Sequence, residues 1–247
     1  PRSDIGLLVE VGLVTAYIFR GINVFQDTSQ RDVHMGLSPA VTWDVFDTGL
    51  TLGYWGAFQV TGNNIGNNIE AGLGAEQDLS IGYTFELPAD FELELGLATY
   101  LYPGGTAAAA GAVFPVYIDP SVRLTHESTL TVSLAISYLF GIQAGIRDDS
   151  HVYLQMSVGT ATELAEWAAW EIEFAYGFKL FHDGVRGKDN VNDLLLTLAF
   201  PLAPISGLRL TPRLLAGWTN LEPSPGAPRR ALDGAFVAGE LVVGWAF

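Results

Sequence analysis

The feature that most constrains the fold is an alternation of apolar residues with small or polar ones. From Leu7 to Phe19 every second residue is apolar or Thr, and the intervening positions include Glu10 and Gly12. A period of two places the apolar side chains on one face of a β-strand and the others on the opposite face. The alternation recurs twelve times and ends at Phe247. The sequence therefore predicts an all-β fold of about twelve strands, the first running from Leu7 to Phe19.

The predicted connections alternate strictly between short turns and longer polar or glycine-rich loops. Bacterial outer-membrane barrels have this asymmetry, with short periplasmic turns, longer external loops and an even number of strands. We therefore expect one transmembrane up-and-down antiparallel β-barrel domain over residues 1–247, with both termini periplasmic. The short connections lie at 47–49, 87–90, 126–129, 163–166 and 201–206, and the long ones at 21–31, 61–68, 103–114, 144–150, 183–190 and 220–234.

The composition favours a membrane location for these strands. Hydrophobic residues make up 49% of the chain and charged residues only 16%, although the formal net charge is −15. The longest apolar run, at 107–116, is broken by Gly111 and Pro115, and it is shorter than the roughly 18 residues that a transmembrane helix needs. Only helices and closed barrels satisfy their backbone polar groups in lipid, so strands must do the spanning.

A water-soluble β-sandwich is the alternative for repeated alternating strands. Its solvent face would be charged, whereas the face opposite the apolar one here consists mostly of Gly, Ala, Ser and Thr. Aromatic residues on the apolar face also gather near the strand ends in two bands, as at the two interfaces of a membrane. The predicted outer bands are Tyr17, Phe19, Tyr54, Phe58, Tyr138, Phe140, Phe178 and Trp218 on one side, and Trp43, Tyr83, Phe85, Phe91, Trp170, Phe200 and Trp245 on the other.

The two ends of the sequence carry targeting information. Leu241, Val243, Trp245 and Phe247 alternate up to the last residue, which resembles the signal by which outer-membrane proteins are recognised for assembly. The sequence opens with Pro1 and has no basic-then-apolar leader, so we expect a signal peptide that has already been removed. The expected location is the bacterial outer membrane. The expected partners are its lipid and lipopolysaccharide, and the assembly machinery through Trp245 and Phe247.

Four segments resemble the TorF-type porin family of Gram-negative outer membranes. Tyr-Ile-Phe-Arg-Gly at 17–21 is similar to the family's Tyr-x-Phe-Arg-Gly, and 49–57 is similar to its Gly-x-x-x-Gly-x-Trp segment. Residues 76–83 look like its acidic strand ending in Gly-Tyr, and Val-Tyr-Ile follows at 116–118. The matches cover about the first half of the chain. The resemblance implies a porin-like barrel and identifies no solute.

Most of the charge is expected to face the lumen. A charged ring in a pore sets ion preference, so the acidic excess predicts weak cation selectivity. Alternatively the charges neutralise each other in a filled barrel, with Arg123 beside Glu92 or Glu94 and Arg209 or Arg213 beside Glu240. The predicted lumenal acids are Glu10, Asp44, Glu70, Glu76, Asp78, Glu86, Glu92, Glu94, Asp119, Glu171, Glu173, Asp193 and Glu240, and the bases are Arg20, Arg123, Lys179, Arg209 and Arg213.

Two features could narrow the pore or bind a ligand. The segment 104–111 is the best candidate for an infolded loop, although an ordinary external loop is the simpler interpretation. Arg20, at the predicted outer end of the first strand, either binds an anionic solute or lipid head group or forms a structural salt bridge with an acid such as Asp32.

An enzymatic site on the rim is a further hypothesis. Asp149, Ser150 and His151 precede His182 and Asp183 on the next strand, and such a set could supply a base with an orienting acid or a His–carboxylate metal site. Nothing in this spacing is diagnostic, so a solvated rim is the simpler interpretation. We expect no catalytic site, metal or cofactor. The acidic charge argues against nucleic acid, and without cysteine there is no thiolate chemistry.

The sequence supports three functional hypotheses, in decreasing order of preference. The leading hypothesis is a porin-like channel for passive diffusion of small hydrophilic solutes, with weak cation preference. The second is a closed structural or binding barrel that acts through its external loops in an envelope assembly. The third is a lipid-modifying enzyme at the rim.

Overall fold

Antiparallel strands make up nearly all of the regular structure. The computed structural model describes residues 5–20, 22–23, 33–61, 76–103, 116–142, 150–181, 190–220 and 234–247. No helix among these residues is long and apolar enough to cross a membrane. The strands are β1 Leu7–Val14, β2 Ile18–Phe19, β3 Ile22–Asn23, β4 Gly36–Asp44, β5 Leu50–Gln59, β6 Glu76–Leu87, β7 Phe91–Leu101, β8 Val116–His126, β9 Thr131–Gly141, β10 His151–Ala165, β11 Ala168–Phe181, β12 Asn190–Ala199, β13 Leu202–Ile205, β14 Leu208–Thr219 and β15 Gly234–Ala246.

The main sheet closes into a barrel. Each long strand pairs antiparallel with its neighbours in the chain, and β15 pairs with β1 from Leu8–Ala246 to Val14–Glu240. The short β13 continues the path of β12, because both pair with β11 and β14. Pro201 lies at the break, where it has no N–H to give to the ladder. The described wall therefore has twelve strand positions, as predicted, and β2 and β3 form a separate small hairpin.

The barrel has two unlike ends. The turn end carries the start of β1, the end of β15 and the short connections 45–49, 88–90, 127–130, 166–167 and 206–207. At the opposite end, which we call the loop end, the strands that flank the longer connections end or begin. The predicted alternation of short and long connections is confirmed.

The outer face of the barrel is apolar and exposed. Val11, Ile136 and Leu241 are 42%, 47% and 38% exposed, and residues of this kind alternate along every long strand. The pairing register places every Asp, Glu, Lys and Arg of the described wall strands on the opposite, interior face. So large an apolar belt is unfavourable in water, whereas it matches the lipid-facing band of a membrane barrel.

The first strand is shorter than predicted. Its last ladder contacts are at Thr15, whose N–H donates to the Gly239 carbonyl at 2.9 Å and whose carbonyl accepts from the His34 N–H at 2.9 Å. Beyond Thr15 the chain leaves the wall and enters the lumen. The prediction that Tyr17 and Phe19 belong to the outer aromatic band is therefore wrong.

An arginine on the outer face should destabilise the barrel in lipid. Ile136→Arg, at mid-strand on β9, is expected to lower the free energy of unfolding in phospholipid vesicles by about 2–4 kcal/mol, because the charge enters hydrocarbon. Thr129→Arg, in the exposed turn before β9, is the control, and its expected change is within about 1 kcal/mol. Denaturant titration measures both, and equal tolerance of the two substitutions would contradict a lipid-facing β9.

Candidate functional site

The site is built around the residues that follow β1, Thr15–Arg20, which we call the inner segment. Its outer half is β2, which pairs with β3 through Ile18–Asn23 and Phe19–Ile22. Arg20 directly follows β2. Arg20 has a φ of 48°, a left-handed conformation that costs a residue with a β-carbon about 1–2 kcal/mol. The contacts of its side chain must compensate this strain.

Arg20 crosses the lumen. Its Nη2 donates to the Asp119 carboxylate on β8. The same Nη2 also donates to Ser137 Oγ on β9, at 2.8 Å. Its Nη1 lies 3.0 Å from Nε2 of His151 at the start of β10. Among the twelve strand positions, β9 is six steps from β1 in either direction. The inner segment therefore leaves one side of the barrel and is fastened to the opposite side.

The surroundings of Arg20 hold it from several directions. Its guanidinium lies 4.7 Å from the centre of the Tyr153 ring, and Lys179 Nζ donates to its backbone carbonyl. The Tyr100 hydroxyl donates to Asp119 Oδ2 at 3.1 Å. The side chains of Arg20 and Asp119 are only 8% and 5% exposed, so this is a buried ion pair, and removing one partner alone would leave an uncompensated charge.

Tyr17 forms a second attachment. Its ring lies 4.8 Å from that of Trp55 on β5, near Glu76, which is fully buried on β6. The hydroxyl of Tyr102, just after β7, donates to Glu76 Oε1 at 3.0 Å. Burial, followed by the charge of Glu76, raises the pKa of both Tyr17 and Tyr102 well above the usual value. Both phenols therefore stay protonated near the Glu76 carboxylate.

A cavity of about 310 Å³ lies against the inner segment, and we call it the lumenal cavity. Ile18, Phe19 and Arg20 form one side of it. The wall residues around it come from β7, β8, β9, β10 and β12. They are Tyr100, Asp119, Ser121, Arg123, Ala135, Ser137, Tyr153, Gln155, Asp193 and Leu195.

One glycine makes room for part of this lining. The Tyr153 hydroxyl donates to Asp193 Oδ1 at 3.1 Å, and both groups lie over Gly177 on β11. A β-carbon at Gly177 would be less than 3 Å from the Tyr153 hydroxyl and from both carboxylate oxygens of Asp193. Gly177 is thus needed for this hydrogen bond rather than for backbone freedom.

The interior from mid-height to the turn end is strongly acidic. Two ion pairs occur there among the residues that the structure describes: Arg123 Nη1 lies 4.0 Å from Glu94 Oε2, and Arg213 Nη1 donates to Glu240 Oε2 at 3.2 Å. Each is one of the pairs predicted from the sequence, and both are confirmed. The register places nine carboxylates and three guanidinium groups on this part of the interior face, namely Glu10, Asp44, Glu86, Glu92, Glu94, Glu163, Glu171, Glu173 and Glu240 against Arg123, Arg209 and Arg213.

A bacterial family model matches residues 1–177, and its description reads bacterial protein of unknown function, Gcw_chp. The chain belongs to the Gcw_chp family. Comparison of the sequence with curated proteins finds no match.

Solved structures similar to this Gcw_chp barrel include outer-membrane porins. The KdgM porin is 11% identical with a TM-score of 0.57, covering 97% of this chain and 99% of its own. The NanC porin is 11% identical with a TM-score of 0.57, covering 98% and 100%. An outer membrane channel from Pseudomonas putida F1 is 11% identical with a TM-score of 0.56, covering 98% and 96%. At such low identity these similarities establish the fold, which is that of outer-membrane porins.

The structure brings together part of the predicted set. Arg20, Asp119, Lys179 and Asp193 meet around the lumenal cavity, and Glu76 and Asp78 lie nearby on β6. The sequence alone did not predict the roles of Tyr17, Trp55, Tyr100, Ser137 and Tyr153. A signal was nevertheless present, because residues 17–21 carry the family resemblance. Asp32, Glu70 and the segment 104–111 lie outside the described residues.

The prediction that His151 lies on a solvated rim is wrong. Ser150 and His151 are 6% and 7% exposed, because the start of β10 packs against Arg20 in the barrel interior. The other members of that cluster, Asp149, His182 and Asp183, lie outside the described residues. Within the described part of the chain, no three His, Asp or Glu side chains are grouped as a metal site would require.

Gly177→Ala tests the packing at the lumenal cavity. The added methyl group should displace Tyr153 from Asp193 and lower the free energy of unfolding by about 1–3 kcal/mol, because buried polar groups lose their partner. Gly239→Ala on β15 is the matched control, since the nearest atoms to its β-carbon are at 3.9 and 4.0 Å. Denaturant unfolding of both variants in the same detergent measures the difference. Equal stability would show that Tyr153 and Asp193 are not packed as described.

Proposed function

We propose that this protein is a porin-like channel of the bacterial outer membrane, through which small hydrophilic solutes diffuse passively. The observation that supports this most is the separation of its two faces. The outer face carries exposed apolar residues, whereas every charged side chain of the described wall strands lies inside. A side-chain-filled barrel of eight strands has little room, and twelve positions leave space for a narrow water channel.

The inner segment is proposed as the narrowest part of this channel. It places Phe19 and Arg20 across the lumen, where Arg20 is paired with Asp119. A pore constricted by an internal segment passes solutes according to the size and charge of the remaining opening. The segment 104–111, which the sequence suggested as a constriction, lies outside the described residues, and the constriction is proposed here at Thr15–Arg20.

Weak cation preference is the finer part of the proposal. The acidic excess between mid-height and the turn end would attract cations and repel anions at that mouth. Glu171 and Glu173 on β11 are exposed inside the barrel, so water can reach their carboxylates. They are the residues on which the preference should depend most.

The orientation and the cellular context are also proposals. In outer-membrane barrels the short turns are periplasmic, so the turn end should face the periplasm and the loop end the exterior. The apolar belt would then contact lipid and lipopolysaccharide. Trp245 and Phe247 would be recognised by the assembly machinery. The resemblance at 17–21 further suggests that this Gcw_chp member is of the TorF type.

A closed structural or binding barrel is the second candidate, and the inner segment is the observation that favours it. If the inner segment leaves no continuous opening beside the Arg20–Asp119 pair, the lumen is blocked and only the loops can act. A lipid-modifying enzyme at the rim is less well supported, because His151 is buried against Arg20.

Planar-bilayer recording of the purified protein tests the channel directly. Discrete conductance with a reversal potential displaced toward cations is expected. The double variant Glu171→Gln and Glu173→Gln should reduce the displacement of the reversal potential, because two exposed lumenal negative charges are lost.

Arg209→Gln is the control of opposite sign. It removes a lumenal positive charge and should therefore increase the displacement of the reversal potential toward cations. Clear anion selectivity would contradict the proposed preference. Absence of discrete conductance would favour the closed barrel.

Releasing the inner segment should widen the pore. The double variant Arg20→Ala and Asp119→Asn removes the buried ion pair without leaving one charge behind, and single-channel conductance is expected roughly to double as the constriction opens. The matched control, Arg213→Ala with Glu240→Gln, removes a wall ion pair outside the inner segment and should change conductance little. An equal effect in the two double variants would argue against a constriction at Arg20.

A further inference from the structure

The lumenal cavity has the size and lining of a small-molecule site. We propose that it binds one neutral, sugar-sized polyhydroxylated solute on its way through the lumen. This inference rests on the proposed channel function and names the solute class that the channel would favour.

The volume limits the occupant to a small molecule. About 310 Å³ is at the lower end of the roughly 300–1,000 Å³ typical of ligand pockets. It corresponds to about ten water molecules at roughly 30 Å³ each. A single sugar ring with a few waters fits this space, whereas an oligosaccharide exceeds it.

Each charged side chain that lines the cavity has a side chain of opposite charge nearby. Arg20 is paired with Asp119, and Arg123 lies 4.0 Å from Glu94. Asp193 pairs in register with Gly177, so Lys179 is its diagonal neighbour of opposite charge on β11. An ionic solute would have to break the Arg20–Asp119 or the Arg123–Glu94 pair or remain uncompensated in a mostly buried site. A neutral solute brings no charge that would compete with these pairs.

Hydrogen-bonding capacity remains after these pairs are formed. Among the described residues, Asp119 Oδ1 and Asp193 Oδ2 are buried oxygens without a hydrogen-bond partner. Each can accept from a hydroxyl group after a small side-chain movement. The amide of Gln155, whose side chain also hydrogen-bonds with Tyr153, has further donor and acceptor capacity, and the Ser121 hydroxyl can donate or accept. Such a mixture suits hydroxyl groups, which are themselves both donors and acceptors.

Apolar surface is present beside these polar groups. Phe19, Tyr100 and Tyr153 line the cavity with aromatic rings. Pockets of this kind combine aromatic area with a few fixed polar groups, which orient the ligand. The C–H edges of a sugar ring would pack on the aromatic surface while its hydroxyl groups face the polar side chains.

Three sugars with the same ring but different charge test the proposal. Calorimetric titration of the protein in detergent would compare D-glucose, D-glucuronate and protonated D-glucosamine. We expect millimolar binding of glucose and at least tenfold weaker binding of both charged sugars. Glucose should also reduce the ion current in planar bilayers over the same concentration range.

Two variants locate the site. Gln155→Leu replaces one neutral polar side chain of the lining with an apolar side chain of similar size. It should weaken glucose binding roughly three- to tenfold, because one or two neutral hydrogen bonds are lost. Thr197→Val on β12 is the control, because Thr197 lies on the interior face but does not line the cavity. The affinity of the Thr197→Val variant for glucose should stay unchanged.

The outcomes separate this inference from the proposed function. Preference for either charged sugar, or unchanged binding in Gln155→Leu, would overturn the proposed site. Conductance without binding of any of the three sugars would overturn the inference and leave the channel intact. Sugar binding without conductance would support the site and contradict the channel.

Discussion

The structure depends on one constraint: in lipid, every backbone N–H and C=O must be paired within the protein. A sheet that closes on itself meets this requirement, since no edge remains. Here β15 returns to β1 through seven paired positions. Because side chains then alternate between lipid and lumen, charge can only be placed inside. The lumenal acids, the ion pairs and the cavity all follow from that separation.

The inner segment shows how the space inside such a wall is used. Its departure after Thr15 places Arg20 in a left-handed conformation with a φ of 48°. The Asp119 carboxylate, Ser137 and the Tyr153 ring surround its guanidinium and hold this conformation in place. Buried ion pairs contribute little net stability, but they specify geometry because one partner cannot be left alone. Arg20 therefore defines where the segment ends and which wall it touches.

The sequence could predict what depends on local pattern. Strand number, the inward charges and the pairs Arg123–Glu94 and Arg213–Glu240 follow from alternation and from neighbouring strands. The path of the inner segment does not, because Leu13, Thr15, Tyr17 and Phe19 alternate as a continuing strand would. Contacts with strands far away in the sequence hold these residues in the lumen. Tyr17 contacts Trp55, and Phe19 contacts Tyr100. His151 was misplaced for the same reason, since Arg20 lies 131 positions earlier in the chain.

The inner segment leaves the wall after β1 and contacts strands β7 to β10 across the lumen. The most direct measurement is the nuclear Overhauser effect between the rings of Phe19 and Tyr100 in the detergent-solubilised barrel, assigned through Phe19→Leu and Tyr100→Phe variants. The structure places the two ring centres 5.5 Å apart, so a cross-peak is predicted that disappears in the Phe19→Leu variant. Its absence in the unmodified protein, with both rings assigned and observed, would contradict the account.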